Sequence, residues 1–480
     1  MSDPIAWLIL LPLGWATMAF LAGPARGGRL AIGGVAAQAM LAVLLATQVA
    51  TGGTRLHDAG GWPPPLGIPL AASGLSVVML LLVQAVALPL VVYARAYFSG
   101  HPDGVRYFWP ITGFLLAAMN AMFLSSDIFN LYVTLELLGL AAVGLVAASG
   151  GAGAIVAALR YLLASLLGSG AYLLGVALLY GSYGTVSLAD LAPLMEEDAP
   201  RAALLAAGLM LVGLCLKTAL FPLHFWLPPA HGGAPSPVSA LLSALVVKAS
   251  FYLIARLWLD LFLPLASTAA AQLIGLLGAA AIGWGSVMAL RQARLKLLIA
   301  YSTVAQIGYL FLFFPLATNT SPDAAHSALQ GVTMQVVAHG LAKAAMFAAA
   351  GVIILSTGHD VVERLGGITE RLPMTVFTLA LSGVTLMGLP PSAGFIAKWL
   401  LIDSALLSGQ WWWVVTMIVG GLLTAAYIFK VLRHAFLRAE QSHSFKPLPR
   451  MIEWPPFLLA LASLALGLHA GELLLLLEAT

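Results

Sequence analysis

Charge is what this 480-residue sequence has least of: Asp, Glu, Lys and Arg make up 9% of it, against roughly 25% in an ordinary soluble domain. That scarcity excludes a water-soluble globule, because the long apolar runs need hydrocarbon as their solvent. The net charge of +3 is too small to attract nucleic acid. Cysteine is almost absent. The single Cys215 lies in an apolar run, which excludes an internal disulfide and any cluster held by thiolates. No CxxC, no phosphate-binding loop and no GxGxxG between a strand and a helix is present. The chain is therefore expected to carry no cofactor and no redox or hydrolytic site of its own. His224 and His231 are too far apart for a zinc pair on one helix, and no Cys or carboxylate completes a site around them.

What the sequence has instead is apolar length. Hydrophobic residues make up 61%, and runs of about 17–25 residues recur. They predict an all-α polytopic membrane protein with about fourteen transmembrane helices, at 4–22, 28–50, 72–95, 108–125, 128–148, 154–180, 202–223, 237–262, 269–290, 295–317, 326–355, 373–407, 411–437 and 455–477. The first run has no basic stretch before it and reads as a retained helix rather than a signal peptide. With the N-terminus outside, fifteen of the 22 Lys and Arg fall in inside loops. Only Arg55 and Arg201 fall outside, and five lie within spans. This is a strong positive-inside signal, with both termini outside.

Two spans read as broken. One follows Lys217, at Phe221-Pro222-Leu223-His224-Phe225-Trp226-Leu227-Pro228-Pro229; the other precedes Lys398, at Gly388-Leu389-Pro390-Pro391. Proline removes a helical donor and clashes with the preceding turn. Broken helices with a lysine beside the break recur in transporter cores.

The ionisable residues inside the spans carry the functional signal. They are Glu136, Lys217, Lys248, Lys343 and Lys398. One buried lysine is equally well explained by a structural polar contact or by snorkelling, and Arg256, near a span end, reads that way. Four lysines and a glutamate on separate spans read as a proton relay, since a lysine changes its protonation readily as its surroundings change. His339 and Lys343 are spaced i,i+4 and share a helix face. Asp403, five residues beyond Lys398, is a candidate charge partner or exit group. Trp411, Trp412 and Trp413 read as an interfacial anchor, and residues 438–450 as a polar inside loop.

These residues also carry a resemblance. Lys217, the Phe221–Pro228 break, His231, Ala234-Pro235-Ser236-Pro237-Val238-Ser239-Ala240 and Lys248 stand in an order similar to the signature of the antiporter-like subunits. These are shared by respiratory complex I, membrane-bound hydrogenases and Mrp-type cation/proton antiporters. Ser125-Ser126-Asp127-Ile128-Phe129-Asn130 through Glu136 resembles that family's glutamate helix, and Leu298-Ile299-Ala300-Tyr301-Ser302 its LAYS-type helix. His339 through Lys343, and Leu389-Pro390-Pro391 through Lys398, resemble two further motifs. Pro229 and Arg294 stand where aspartate is common. The segment from Gly60 to Ile68 is similar to the Mrp D-type subunit, the Ala234–Ala240 stretch to complex I and hydrogenase members.

The resemblance implies two inverted five-helix repeats containing the two broken helices. Residues 1–107 would hold helices one to three. Residues 108–265 would form a first half-channel with Glu136, Lys217 and Lys248, and 266–437 a second with His339, Lys343 and Lys398. Residues 438–480 would supply the inside loop and last helix. His224, His231 and Asp403 would be secondary. The implied function is translocation of protons, with sodium as the exchanged ion, by a subunit of a larger membrane complex in a bacterial or archaeal inner membrane. The alternatives are a pump subunit of a redox-driven complex and a non-conducting scaffold. The implied partners are other membrane subunits and the lipid bilayer.

Overall fold

The computed structural model describes residues 3–64, 66–100, 106–148, 150–438 and 445–479. Pro65, Glu440 and His443, which belong to segments noted above, lie outside the described residues. In hydrocarbon every backbone N–H and C=O must be satisfied within the protein, so long apolar runs become helices. Among the described residues, eleven helices are long and apolar enough to cross a bilayer. A bent pair makes a twelfth span, and two shorter apolar helices complete fourteen. The expected all-α membrane architecture is the one observed.

The helices are α1 (Pro4–Ala22), α2 (Pro24–Gly52), α3 (Gly74–Tyr97), α4 (Phe108–Leu124), α5 (Ile128–Ala147), α6 (Ala152–Tyr183), α7 (Leu188–Glu197), α8 (Arg201–Thr218) and α9 (Leu227–Gly233). Next come α10 (Ser236–Leu265), α11 (Thr268–Arg291), α12 (Leu295–Ala317), α13 (Pro322–Thr357), α14 (Pro373–Met387), α15 (Ala393–Leu407) and α16 (Trp411–Phe436). The last two, α17 (Trp454–Ala465) and α18 (Ala470–Leu477), form the pair bent by 75°. Helix α7 is too short to span; it buries Leu188, Leu191 and Met195 along one face. Between α2 and α3 the chain makes an antiparallel hairpin, β1 (Arg55–Asp58) with β2 (Pro69–Ala72). Its glycine- and proline-rich turn suits a reversal of direction. His57 Nδ1 pairs with Asp3 Oδ2 at 2.6 Å, fixing this hairpin to the start of α1.

Both predicted breaks are present. The first separates α8 from α9, the second α14 from α15. Each is stopped by a residue in the left-handed region, Ala219 at φ 59° and Gly388 at φ 79°, a common way for a helix to end. Helix α6 packs along α8 as α13 packs along α15. Four spans, α10 to α13, lie between α8 and α14, an even number, so the second broken span crosses in the opposite sense.

Helices α10, α12 and α13 are buried along most of their length, while α1, α2, α11 and α16 turn one face outward. A helix apolar all round is what a central position requires, and polar groups on these three face protein rather than lipid. Trp411 and Trp412 are exposed as an interfacial anchor would be, but Trp413 is buried and donates to Gln410 Oε1 at 3.0 Å.

Candidate functional site

A charged side chain at the centre of a membrane helix costs about 3 kcal/mol on insertion scales. Five such groups together cost on the order of 15 kcal/mol, comparable with the whole stability of an ordinary domain. Their positions therefore decide whether they are paired, hydrogen-bonded or stranded.

At one end, Glu136 on α5 faces Lys217 on α8, with Oε1 to Nζ at 3.6 Å. Lys217 also donates to Ser165 Oγ on α6 at 2.9 Å and to the Leu135 carbonyl at 3.4 Å. This approach depends on bare backbone. A Cβ on Gly213 would lie 2.2 Å from the Gly168 carbonyl oxygen, and one on Gly168 2.7 Å from that of Gly213. Small residues of this kind let membrane helices touch backbone to backbone, and Lys217 lies one turn beyond Gly213. The carbonyl of Leu216, which at the break accepts the Ala219 N–H at 3.2 Å, also accepts from Trp226 Nε1 at 2.9 Å. Trp226 in turn stacks on Tyr161 at 4.2 Å. A cavity of about 10 Å³ lies between Lys217 and α10, lined by Ser165, Tyr161 and Ser250, which is room for about one water.

Lys248 on α10 is fully buried. It follows a π-helical turn at Leu242–Val246. Such turns release carbonyls from the helical ladder and are frequent at functional sites. Lys248 Nζ donates to the Ser243 carbonyl within this turn. From the same Ser243, polar groups lead onto α12. Ser243 Oγ meets Thr303 Oγ1 at 2.9 Å, Thr303 Oγ1 donates to the Ile299 carbonyl at 3.0 Å, and Lys343 Nζ donates to the same carbonyl at 3.1 Å. Lys343 also donates to Ser302 Oγ.

His339 and Lys343 share a face of α13 as expected, and Gln335, four residues before His339, lies on the same face. All three are buried, and among the described residues neither ring nitrogen of His339 has a protein partner. Buried polar groups without protein partners are where internal waters bind. Gln335 Nε2 donates to Gln306 Oε1 at 3.0 Å. Gln306, one turn beyond Ser302, donates to Thr424 Oγ1 at 3.3 Å and to the Leu386 carbonyl at 3.4 Å.

That carbonyl leads to Lys398 on α15, whose Nζ donates to the Leu386 and Met387 oxygens, both at 2.9 Å. These are the last carbonyls of α14, the negative end of its dipole. The ammonium also sits 4.6 Å from the centre of the Tyr309 ring, a cation–π contact. Lys217 and Lys398 thus sit at the two breaks, and α12 supplies the link that sequence reasoning missed. Ser302, Thr303 and Gln306 lie in the LAYS-type helix, where uncharged side chains give no signal of cost in lipid.

The secondary residues divide. His231 is buried, stacks on Phe347 at 4.8 Å, and lies within the fields of Lys248, Lys296 and Lys343. His224 is half-buried at the break, stacked on Phe221 at 5.5 Å. Asp403 accepts from Ser327 Oγ at 2.9 Å and makes no ion pair among the described residues, so it does not partner Lys398. Two cations differ from their sequence reading. Arg256 does not snorkel to lipid; it donates to the Ser125 carbonyl, to Ser126 Oγ at 2.9 Å and to Asp260 at 3.2 Å, fastening the start of α5. Lys296, at the edge of the 295–317 span and counted among the inside cations, is buried and donates to the Ala234 carbonyl. Beside it Arg294 pairs with Asp360 at 3.0 Å.

Gly388 is required twice over. Its φ of 79° disfavours any side chain, and a Cβ there would lie 2.5 Å from Lys398 Cδ. Replacing it is expected to cost about 1–2 kcal/mol in backbone strain and to move Lys398 off the α14 carbonyls. Gly388→Val should lower both thermal stability and ion translocation. Gly388→Asn, which tolerates this conformation better, should recover most of the stability and little of the translocation. Thermal unfolding and vesicle flux assays on the same preparations check this.

A family model described as NADH:quinone oxidoreductase/Mrp antiporter, transmembrane, matches residues 125–424. NADH-quinone oxidoreductase subunit N of Desulforudis audaxviator is 37% identical over 403 residues, 83% of this chain and 78% of that protein. The D-type subunit of the Na(+)/H(+) antiporter of Alkalihalophilus pseudofirmus is 29% identical over 447 residues, 92% of this chain and 89% of the relative. Among solved structures, a chain of the Mrp complex from Dietzia sp. superposes with a TM-score of 0.90 at 26% identity, covering 100% of this chain and 97% of the other.

Proposed function

Because this chain belongs to the NADH:quinone oxidoreductase/Mrp antiporter transmembrane family, we propose that it is a proton-translocating subunit of a multisubunit membrane complex, of Mrp D type, exchanging protons for sodium. The observation that carries this reading is the polar line from Lys248 through Ser243, Thr303 and Ile299 to Lys343. One helical turn beyond Ser302, Gln306 and the Leu386 carbonyl lead on to Lys398. A chain that merely braced its neighbours would have no use for so many buried lysines.

In this account residues 108–265 and 266–437 are two half-channels of opposite sense. Glu136 stabilises the ammonium of Lys217 while the two are paired. Neutralising or withdrawing the carboxylate removes that stabilisation and favours release of the proton toward Lys248. Lys248 passes a proton to Lys343 through water held along the Ser243, Thr303 and Ser302 hydroxyls and beside His339, while the carbonyls of this line hold the ammonium forms, and Lys398 stands at the far break as the exit group. His231, close to Lys248 and Lys343, senses their charge. The basic side of the molecule faces the interior of a bacterial or archaeal cell, both termini lie outside, and no cofactor takes part within this chain.

A redox-driven complex is the second reading, favoured by the 37% identity to a NADH-quinone oxidoreductase subunit. Isolating the native complex in mild detergent and rebuilding it into vesicles separates the two. An imposed sodium gradient should drive counterflow of protons, and the co-purifying chains should be other small membrane subunits. Pumping that instead requires a bound electron donor, with iron–sulfur subunits in the preparation, would replace the D-type reading with the second. Neither form of flux from an intact complex would leave a scaffold.

A further inference from the structure

On the basic side of the molecule, the end of α3 and the segment at 446–452 that precedes α17 enclose a cavity of about 530 Å³, in the range of small-molecule sites. Its walls are mainly apolar, with Val92, Leu355, Leu448 and Met451 among them, and two cations, Arg95 and Lys446, stand on its rim. Among the described residues no Asp or Glu lines it, and neither cation makes an ion pair. The second wall is anchored to the end of α13: Lys446 N donates to the Ser356 carbonyl at 2.8 Å, and Ser356 Oγ to the Lys446 carbonyl at 3.1 Å. The cations are exposed while the wall residue Leu355 is half-buried.

Two positive charges without an ion pair among the described residues, over an apolar cleft at the level where membrane helices leave the bilayer, fit one chemistry. We propose that this cavity holds an anionic membrane phospholipid, its phosphate between Arg95 and Lys446 and the upper part of an acyl chain against Val92, Leu355 and Met451. Basic pockets between helices on this face of a membrane bind such headgroups. The site lies apart from the lysine line and does not depend on the ion carried. Its role is to fasten α3, α13 and the approach to α17 through lipid.

The test uses the complete complex in vesicles containing a trace of phosphatidylglycerol or phosphatidylcholine that bears a photoreactive group near the headgroup. Crosslinked peptides are then mapped. Phosphatidylglycerol should label the peptides around 92–99 and 446–452 in preference to phosphatidylcholine. Arg95→Ala with Lys446→Ala should lower that labelling roughly 30-fold, the attraction expected of two surface cations. Arg95→Lys with Lys446→Arg should keep it. Equal labelling by the two lipids in the unaltered complex overturns the proposal whether or not the variants assemble. So does displacement of the lipid by millimolar inorganic phosphate, which would mark a site for the free anion.

Discussion

Replacing Lys217 by alanine is expected to cut proton translocation by the assembled complex about a hundredfold, the lower end of what a positioned proton-transferring side chain contributes. Glu136→Gln should cost about tenfold. It keeps the shape of the side chain and removes its charge. Lys217 is then left with Ser165 and a carbonyl as its partners, and an uncompensated ammonium in a span costs about 3 kcal/mol. Because the two act as one unit 3.6 Å apart, their effects should not add, and the double variant should be no worse than Lys217→Ala alone. Initial rates of vesicle acidification, normalised to intact complex, check this. Additive losses would mean that the two side chains work separately.

Lys248 should be more sensitive still. It is fully buried, and through Ser243 it lies next to the polar groups of α12. Alanine removes that group, and translocation should fall at least about a hundredfold. The informative variant is Lys248→Arg. Arginine keeps the positive charge and the hydrogen-bonding capacity, but its guanidinium does not release a proton in proteins. A lysine needed only for its charge would tolerate the exchange. A lysine that gives and takes a proton would not, and Lys248→Arg should be as inactive as Lys248→Ala.

Much of this arrangement is written in the order of residues, for reasons that can be named. Length and hydropathy mark the spans, because the bilayer sets their size. The two breaks are marked by prolines beside lysines, and Gly388 and Ala219 stop the helices there. The buried charges stand out because lipid makes them costly. Other features leave fainter marks. The π-helical turn before Lys248 has the same apolar composition as the α-helix around it. Ser302 and Thr303 satisfy themselves on the Ile299 carbonyl of their own helix, as hydroxyls in membrane helices do, so neither looks expensive in the sequence. Lys296 lies near a span end, and only the folding of α12 against Ala234 shows that it is buried. Arg256 was legible as a cation near a span end but not as a clamp, since its partners Ser125 and Ser126 lie about 130 residues away in the chain. The β1–β2 hairpin was not anticipated, because its strands are four residues each.

The most direct test of the lysine line is proton flux through the complete complex in vesicles loaded with a pH-sensitive dye, driven by an imposed sodium gradient. Unaltered, Lys248→Ala and Lys248→Arg complexes are compared at equal subunit composition. Rapid proton flux is expected in the first and near-background flux in both variants. Flux retained in Lys248→Arg would contradict proton transfer through this side chain, and flux retained in both variants would contradict the line itself.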